Sequence, residues 1–322
     1  MTEQTLNEEV DQVNSESPKK KKLFRFLKFY LIPGWRDDEF SNQEYEIEKI
    51  KSKRRLFRRL LTPLTIVGFF MLLFIALLSV YSPWLTHYRL EEVILPYYPP
   101  GGDPFSNPSA AHPLGTTKFG YDILARMIWG ARTTLTMAVI PVSIAIGGGL
   151  ILGTISAYFG GAVDYAIMRF VDLMYSFPML ILVIILIPIL GRDILTVLVI
   201  YGILYIPYNI RFMRSLVLQV KQLIYVRAAK TGGALKFRVM FKHIVPNSIS
   251  PMIINFFGGA AGTILGMAGL AFIGLGDPTV ANWGIDINWA RASFSTFLAA
   301  LWPGIFIGIA SIAFMLIGDG LR

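Results

Sequence analysis

Six separate runs of apolar residues, each about as long as a lipid bilayer is thick, constrain this chain more than any other feature of its sequence. They cover approximately 64–80, 135–158, 166–190, 194–217, 249–273 and 297–317. Carrying a helix across ~30 Å of hydrocarbon takes about 20 apolar residues. Inside lipid every backbone N–H and C=O must find a partner within the protein, which leaves only helices and closed barrels. The length of the runs selects helices. The expectation is therefore an all-α integral membrane protein with six transmembrane helices. Pro178, Pro188 and Pro207 fall inside the runs and read as kinks that a bundle tolerates.

The cations orient the spans. Lys49, Lys51, Lys53, Arg54, Arg55, Arg58 and Arg59 stand just before the first run, which places the N-terminus in the cytoplasm. In a six-span topology the first four crossings return residues 218–248 to the same side, and that loop holds Lys221, Arg227, Lys230, Lys236, Arg238 and Lys242. Two basic clusters thus agree on one topology, a multi-pass cell-membrane protein with both termini cytoplasmic. The net charge of +9 sits largely beside the spans and serves topology, so it does not point to nucleic acid.

Composition removes most catalytic readings. With no Cys, disulfides, thiol chemistry and Cys-ligated metals are excluded together. His87, His112 and His243 are too scattered to form a metal cluster, and His112 reads as a turn residue. The chain carries no GxxxxGK[ST] loop for nucleotide phosphates, and no HExxH or GxSxG motif. The chain is expected to be non-enzymatic, with no cofactor of its own.

Residues 1–60 form a separate region ahead of a membrane domain at 61–322. Residues 1–18 are polar and acidic and read as a disordered tail. KKKKLFRFLKFYLIPGW suits a short amphipathic piece on anionic lipid, with a flexible tail carrying incidental aromatics as the alternative. No secretory signal is expected, because the first apolar run begins far from the start. Between the first two runs, residues 82–132 start Pro/Gly-rich. They end in GYDILARMIWGARTTL, where Ile123, Leu124, Met127 and Ile128 recur at helical spacing. That spacing predicts an interfacial helix leading into the second span.

Other polar residues have structural readings beside functional ones. Asp164, Arg169 and Asp172 either pair with each other at the inner interface or mark a substrate or proton site. Asp193 beside Arg192 reads as a solvated turn. Gly149 and Gly153, then Gly258, Gly262 and Gly266, then Gly304 and Gly308 recur every four residues. Such small faces let helices approach closely, within the bundle or against a partner.

The segment YVRAAKTGGALKFRVMFKHIVPN, between the fourth and fifth runs, is of a different kind. Residues 224–230 predict a short helix that Ala228 and Ala229 leave bare on one side, and Gly232 and Gly233 break it. A second amphipathic helix is expected over 235–243, with Phe237, Met240 and Phe241 on one face and Pro246 ending it. The product is a helix–turn–helix with a smooth tip. It suits docking into a groove on another protein or, equally, a loop held by lipid headgroups.

Arg227-Ala228-Ala229, Gly233 after three residues and Pro246 thirteen later resemble the EAA signature of ABC importer permeases, E-A-A, three residues, G, nine residues, I-x-L-P. Arg227 replaces the Glu, His243 the Ile and Val245 the Leu. Several branches of that family also lack the Glu, so the contact it makes is read as altered and not lost. HPLGTTKFGYDILARMIWGARTTL is similar to a stretch of the C-type subunit in the dipeptide/oligopeptide/nickel permease family, with Thr117 in place of an Asp and Tyr121 of an Arg. DYAIMRFVDLMYSFPML, GLAFIGLGDPTVANWG and the terminal LIGDGLR follow in that family's order, so the resemblance covers about 112–322. Chains of that family usually run a few residues further, which leaves a shortened C-terminus open.

The resemblance implies a type I ABC importer permease fold with a cytoplasmic coupling helix pair between spans four and five. It implies a heterodimer with a B-type permease, two ATPase subunits that bind ATP and Mg, and an extracytoplasmic substrate-binding protein. Ala228, Ala229, Gly233 and Pro246 match the ATPase-coupling motif, and Arg227 is expected to face the ATPase. Di- or oligopeptides are the default cargo, with nickel or oligosaccharides as alternatives. An ion-coupled carrier would instead need mid-span carboxylates and a repeat with broken helices, and spans one, two, five and six carry no such carboxylate.

Overall fold

The computed structural model describes residues 62–97, 103–292 and 297–322. The readings of the first 60 residues therefore lie outside the described residues. The helices are α1 (Pro63–Leu85), α2 (Ile123–Phe159), α3 (Gly161–Tyr175), α4 (Met179–Leu190), α5 (Ile194–Leu204) and α6 (Ile206–Lys221). They continue with α7 (Ile224–Thr231), α8 (Lys236–Val239), α9 (Val245–Leu270), α10 (Trp283–Ala290) and α11 (Phe297–Gly320). Among the described residues five stretches are long and apolar enough to cross a membrane: Pro63–Leu85, Ile123–Phe159, Ile194–Lys221, Lys236–Leu275 and Phe297–Gly320. The pair α3 and α4 makes a sixth if counted as one span. The six-span, all-helical architecture stands.

Span three is not the kinked helix expected. α3 and α4 meet at 83° across a short break ending at Pro178. A residue before proline is pushed out of the α region, and here the chain turns a full corner. Span four is also built of two pieces, joined at Tyr205, and Pro207 stands in the first turn of α6, where its missing N–H costs nothing.

The expected interfacial helix does not exist as a separate element. Residues 123–132 are the first turns of α2, which runs unbroken for 37 residues, or about 55 Å at 1.5 Å per residue. Its apolar periodicity is that of a helix end buried on every side. Ile123, Met127, Ile128 and Trp129 are all buried. Asp122 caps the helix, accepting from the Ala125 N–H at 2.7 Å, and its other oxygen pairs with His112 Nδ1 at 3.2 Å.

Arg126, one turn into α2, is fully buried. Its Nε donates to Asp286 of α10 at 2.5 Å, another guanidinium nitrogen donates to the Val93 carbonyl, and the cation lies 4.6 Å from the Trp289 ring. Trp283 Nε1 donates to the Met127 carbonyl at 3.1 Å. The indole sits over Gly130, where a Cβ would stand 2.4 Å from that nitrogen. One arginine thus ties the first loop, α2 and α10 into a cap at one end of the bundle.

Small residues do what the spacing suggested, but not everywhere. A Cβ on Gly149 would stand 2.3 Å from Asn209 Cβ, and one on Gly153 2.7 Å from the Ile210 carbonyl oxygen, so α2 and α6 touch backbone to backbone. In contrast, no neighbouring atom among the described residues lies within 4 Å of a Cβ on Gly258, Gly262, Gly304 or Gly308. α1 is the least enclosed span, exposing Phe69, Phe70 and Trp84, as a helix bathed in lipid would.

The ionisable residues of α3 pair with α6 and not with one another. Asp164 receives two hydrogen bonds from Arg214, both 2.7 Å, and Asp172 receives one from Arg211 at 2.7 Å. Arg169 is exposed and takes no part. Asp193 is the N-cap of α5, accepting from the Thr196 N–H at 3.0 Å, so its solvated turn is also a helix start.

Candidate functional site

Of the five residues singled out by the sequence, Arg227, Ala228, Ala229 and Gly233 lie between α6 and α9, and Pro246 lies in the first turn of α9. In α7, Ile224, Arg227, Ala228 and Thr231 recur at helical spacing and all four are exposed. Val226 on the opposite face is wholly buried, and Ala229 is half-buried beside it. The bare side is therefore that of Ala228 alone, while Ala229 packs inward.

Gly233 ends α7 for a definite reason. Its φ is +79°, a left-handed conformation that costs other residues about 1–2 kcal/mol. The turn it makes is a Schellman motif. The Gly233 N–H donates to the Lys230 carbonyl and the Ala234 N–H to the Ala229 carbonyl, both at 3.1 Å. Two otherwise orphaned helix-end carbonyls are satisfied, and the turn projects with nothing within 4 Å of where a Gly233 side chain would start.

The second helix differs from its expectation. α8 is a single turn that passes through a π-helical turn, Met240–Ile244, into α9 without a break. Pro246 does not end it. The Val245 N–H reaches back five residues to the Met240 carbonyl, and Pro246 follows in the first turn of α9, where no N–H is needed. Pro246 is exposed. Nor do Phe237, Met240 and Phe241 share a face, because Met240 is buried (4% exposed) while Phe237 and Phe241 are exposed.

What holds this segment to the bundle was not legible beforehand. Val226, Val239, Met240 and Ile244 pack with Met213 and Val217 of α6, Tyr158 of α2 and Met252 of α9. Lys221 closes the C-terminal end of α2, its Nζ donating to the Ala157 and Tyr158 carbonyls, each at 2.9 Å. A cation at a helix C-terminus also meets the negative end of the macrodipole. Lys230 lies 5.4 Å from the Tyr158 ring. The opposite side of the segment presents Ile224, Leu235, Phe237 and Phe241, with Arg227, Lys236, Arg238 and Lys242 around them. Chemically, this is an anchored knob with an apolar, basic outer surface and no group arranged for catalysis. Among the described residues no cluster of three or more His, Cys, Asp or Glu could hold a metal.

Residues 149–322 match the family model of the binding-protein-dependent transport system inner membrane component. The chain is also 34% identical over 261 residues to the dipeptide transport system permease protein DppC of Alkalihalophilus pseudofirmus, covering 80% of this chain and 84% of that one. It is 35% identical over 217 residues to the glutathione transport system permease protein GsiD of Pectobacterium atrosepticum, covering 67% and 72%. A probable D,D-dipeptide transport system permease protein, DdpC of Escherichia coli, is 34% identical over 268 residues, covering 81% and 86%. Six apolar spans in one bundle, a matched segment holding both the knob and the last two spans, and relatives aligned over most of their length converge. The chain belongs to the family of binding-protein-dependent transport system inner membrane components, the non-catalytic membrane subunits of ABC importers.

Proposed function

We propose that this chain is the C-type permease of an ATP-driven importer of di- and oligopeptides, forming half of the translocation pathway beside a B-type permease. The single observation that carries the reading is the knob, which is tied to three spans on one side and bare on the other. Arg227, Ala228 and Gly233 lie on its outer surface, Ala229 joins it to the core and Pro246 starts the span behind it. In this reading Ile224, Arg227, Ala228 and the Gly233 turn seat in a groove of an ATPase subunit. ATP and Mg are bound there, in the partner, and closure of two such ATPases moves the knob and the bundle with it. Because Arg227 stands where the family signature has Glu, the facing surface of the ATPase is acidic. An extracytoplasmic binding protein delivers cargo at the opposite end. Both termini are cytoplasmic, and residues 1–60 are a cytoplasmic extension. The names of the relatives favour peptides over nickel or oligosaccharides.

The test uses the absence of Cys in this chain. A tagged Arg227→Cys variant, expressed in its own host, is treated with a short bifunctional thiol–amine crosslinker, purified in mild detergent and identified by mass spectrometry. An ATPase crosslinked at residue 227, with a second permease copurifying, is the expected result. A chain that purifies alone with no crosslinked ATPase overturns the reading.

A further inference from the structure

A second site lies at the mid-height of the bundle. Pro141 is the midpoint of Ile123–Phe159, and Tyr208 and Asn255 stand near the midpoints of Ile194–Lys221 and Lys236–Leu275. Between these three spans is an open cleft of about 270 Å³. No charged side chain lines it, yet its wall carries Tyr201, Tyr205, Tyr208, Asn209 and Asn255. Polar groups at the depth of the hydrocarbon are costly, and they persist where they bind helices together or line a pathway.

The hydrogen bonds separate these two roles. Tyr201 donates to the Tyr205 hydroxyl at 3.1 Å, with their rings stacked at 4.6 Å. Asn209 donates to the Tyr205 carbonyl at 3.1 Å, and Asn255 donates to Asn209 Oδ1 at 3.0 Å. A purely structural network would close on itself. This one does not, since among the described residues the Asn255 Oδ1 accepts from nothing, the Tyr205 hydroxyl only accepts, and the Tyr208 hydroxyl makes no hydrogen bond. The open side runs past Gly262, where a Cβ would have no neighbouring atom within 4 Å among the described residues.

Resting on the peptide-importer reading, we infer that this cleft is the chain's share of the translocation pathway and that it receives the backbone amides of a peptide. An amide needs one donor and one acceptor, and the free Asn255 oxygen and the Tyr205 and Tyr208 hydroxyls supply both. Peptide-bond recognition by uncharged groups ignores the side chains of the cargo. It also holds the cargo loosely, as passage requires a site that can be left as readily as it is entered. Selection among peptides then falls to other parts of the transporter.

The test uses the assembled transporter in proteoliposomes, with trialanine as probe. A Gly262→Cys variant should react with a membrane-impermeant methanethiosulfonate, and cycling with ATP, binding protein and saturating trialanine should slow that reaction at least threefold. Reaction only with lipid-soluble N-ethylmaleimide would place the cleft against lipid and overturn the inference, leaving the importer reading intact. Protection by nickel ion or maltotriose in place of trialanine would keep the pathway but overturn the peptide reading and the amide assignment with it. Tyr208→Phe, which removes one exposed hydroxyl and no packing, should lower trialanine uptake severalfold while ATP hydrolysis stimulated by the binding protein persists. Unchanged uptake would overturn the amide assignment.

Discussion

The two ends of this bundle are finished in opposite ways. At one end Arg126 and Asp286 are buried together beneath Trp289, and the loop before α2 folds over them. At the other, α7 and α8 are fastened along one side by Val226, Val239 and Ile244 and carry Ile224 and Leu235, 85% and 76% exposed, on the other. The first arrangement turns its charged pair inward and fixes three elements in one geometry. The second spends its packing on attachment and leaves its outer surface uncovered. A buried ion pair specifies a shape, whereas a half-buried helix pair specifies an orientation.

The largest effect expected from breaking this contrast is at the closed end. Arg126→Met should cost about 3–5 kcal/mol, because Asp286 is left buried and unpaired. A fall in Tm of the detergent-purified chain would show it, and the double variant Arg126→Met/Asp286→Leu should recover most of the loss. If the double variant is no better than the single, the ion pair is not what holds the cap.

Next comes the seam between the two ends. Gly149→Leu should destabilise by about 1–3 kcal/mol or prevent folding, since it drives a side chain into Asn209. Gly304→Leu, at a glycine facing none of the described residues, should leave the Tm of the isolated chain unchanged. Equal losses at both positions would erase the distinction between a seam used internally and a face left open.

At the open end stability and activity should part company. Gly233→Trp should cost only about 1–2 kcal/mol, from its positive φ, because nothing of this chain surrounds it. Transport in the assembled complex should nevertheless be abolished while the membrane bundle still assembles. Normal uptake by this variant would remove the docking role of the turn. The smallest effect is expected for Asp172→Asn. Its partner Arg211 is 47% exposed, and such pairs contribute about 0–1 kcal/mol. Raising the salt concentration should mimic the substitution in a thermal melt.

The spans were readable because hydrocarbon imposes one rule on all of them, and the break after α7 because Gly232 and Gly233 accept backbone angles that other residues resist. Misreadings fell where the deciding partner is distant in sequence. Asp164 chose Arg214, 50 residues away, over Arg169 on its own helix. The start of α2 read as interfacial because its real neighbour, α10, lies 160 residues further on. Pro246 looked like a terminator, and one extra residue in the π-helical turn before it made it an ordinary first-turn proline. Gly258 and Gly262 showed small-residue spacing, but only the structure separates a seam already filled from one left open.

α6 carries a consequence in thermodynamic terms. Asn209, Met213 and Val217 follow each other at four-residue intervals along one buried face of that helix. The first lines the mid-height cleft, and the others sit in the core that fastens the knob. Only about 12 Å of helix separates Asn209 from Val217 at 1.5 Å per residue. Two binding events that both bias one such element are linked, and linkage is reciprocal. If docking at α7 changes the affinity of the cleft tenfold, occupancy of the cleft must change the affinity of the docked protein tenfold as well, about 1.4 kcal/mol in either direction. On the proposed reading, a permease built on this helix is more than a passive channel driven from below, because cargo in the cleft reports back to the docked ATPase.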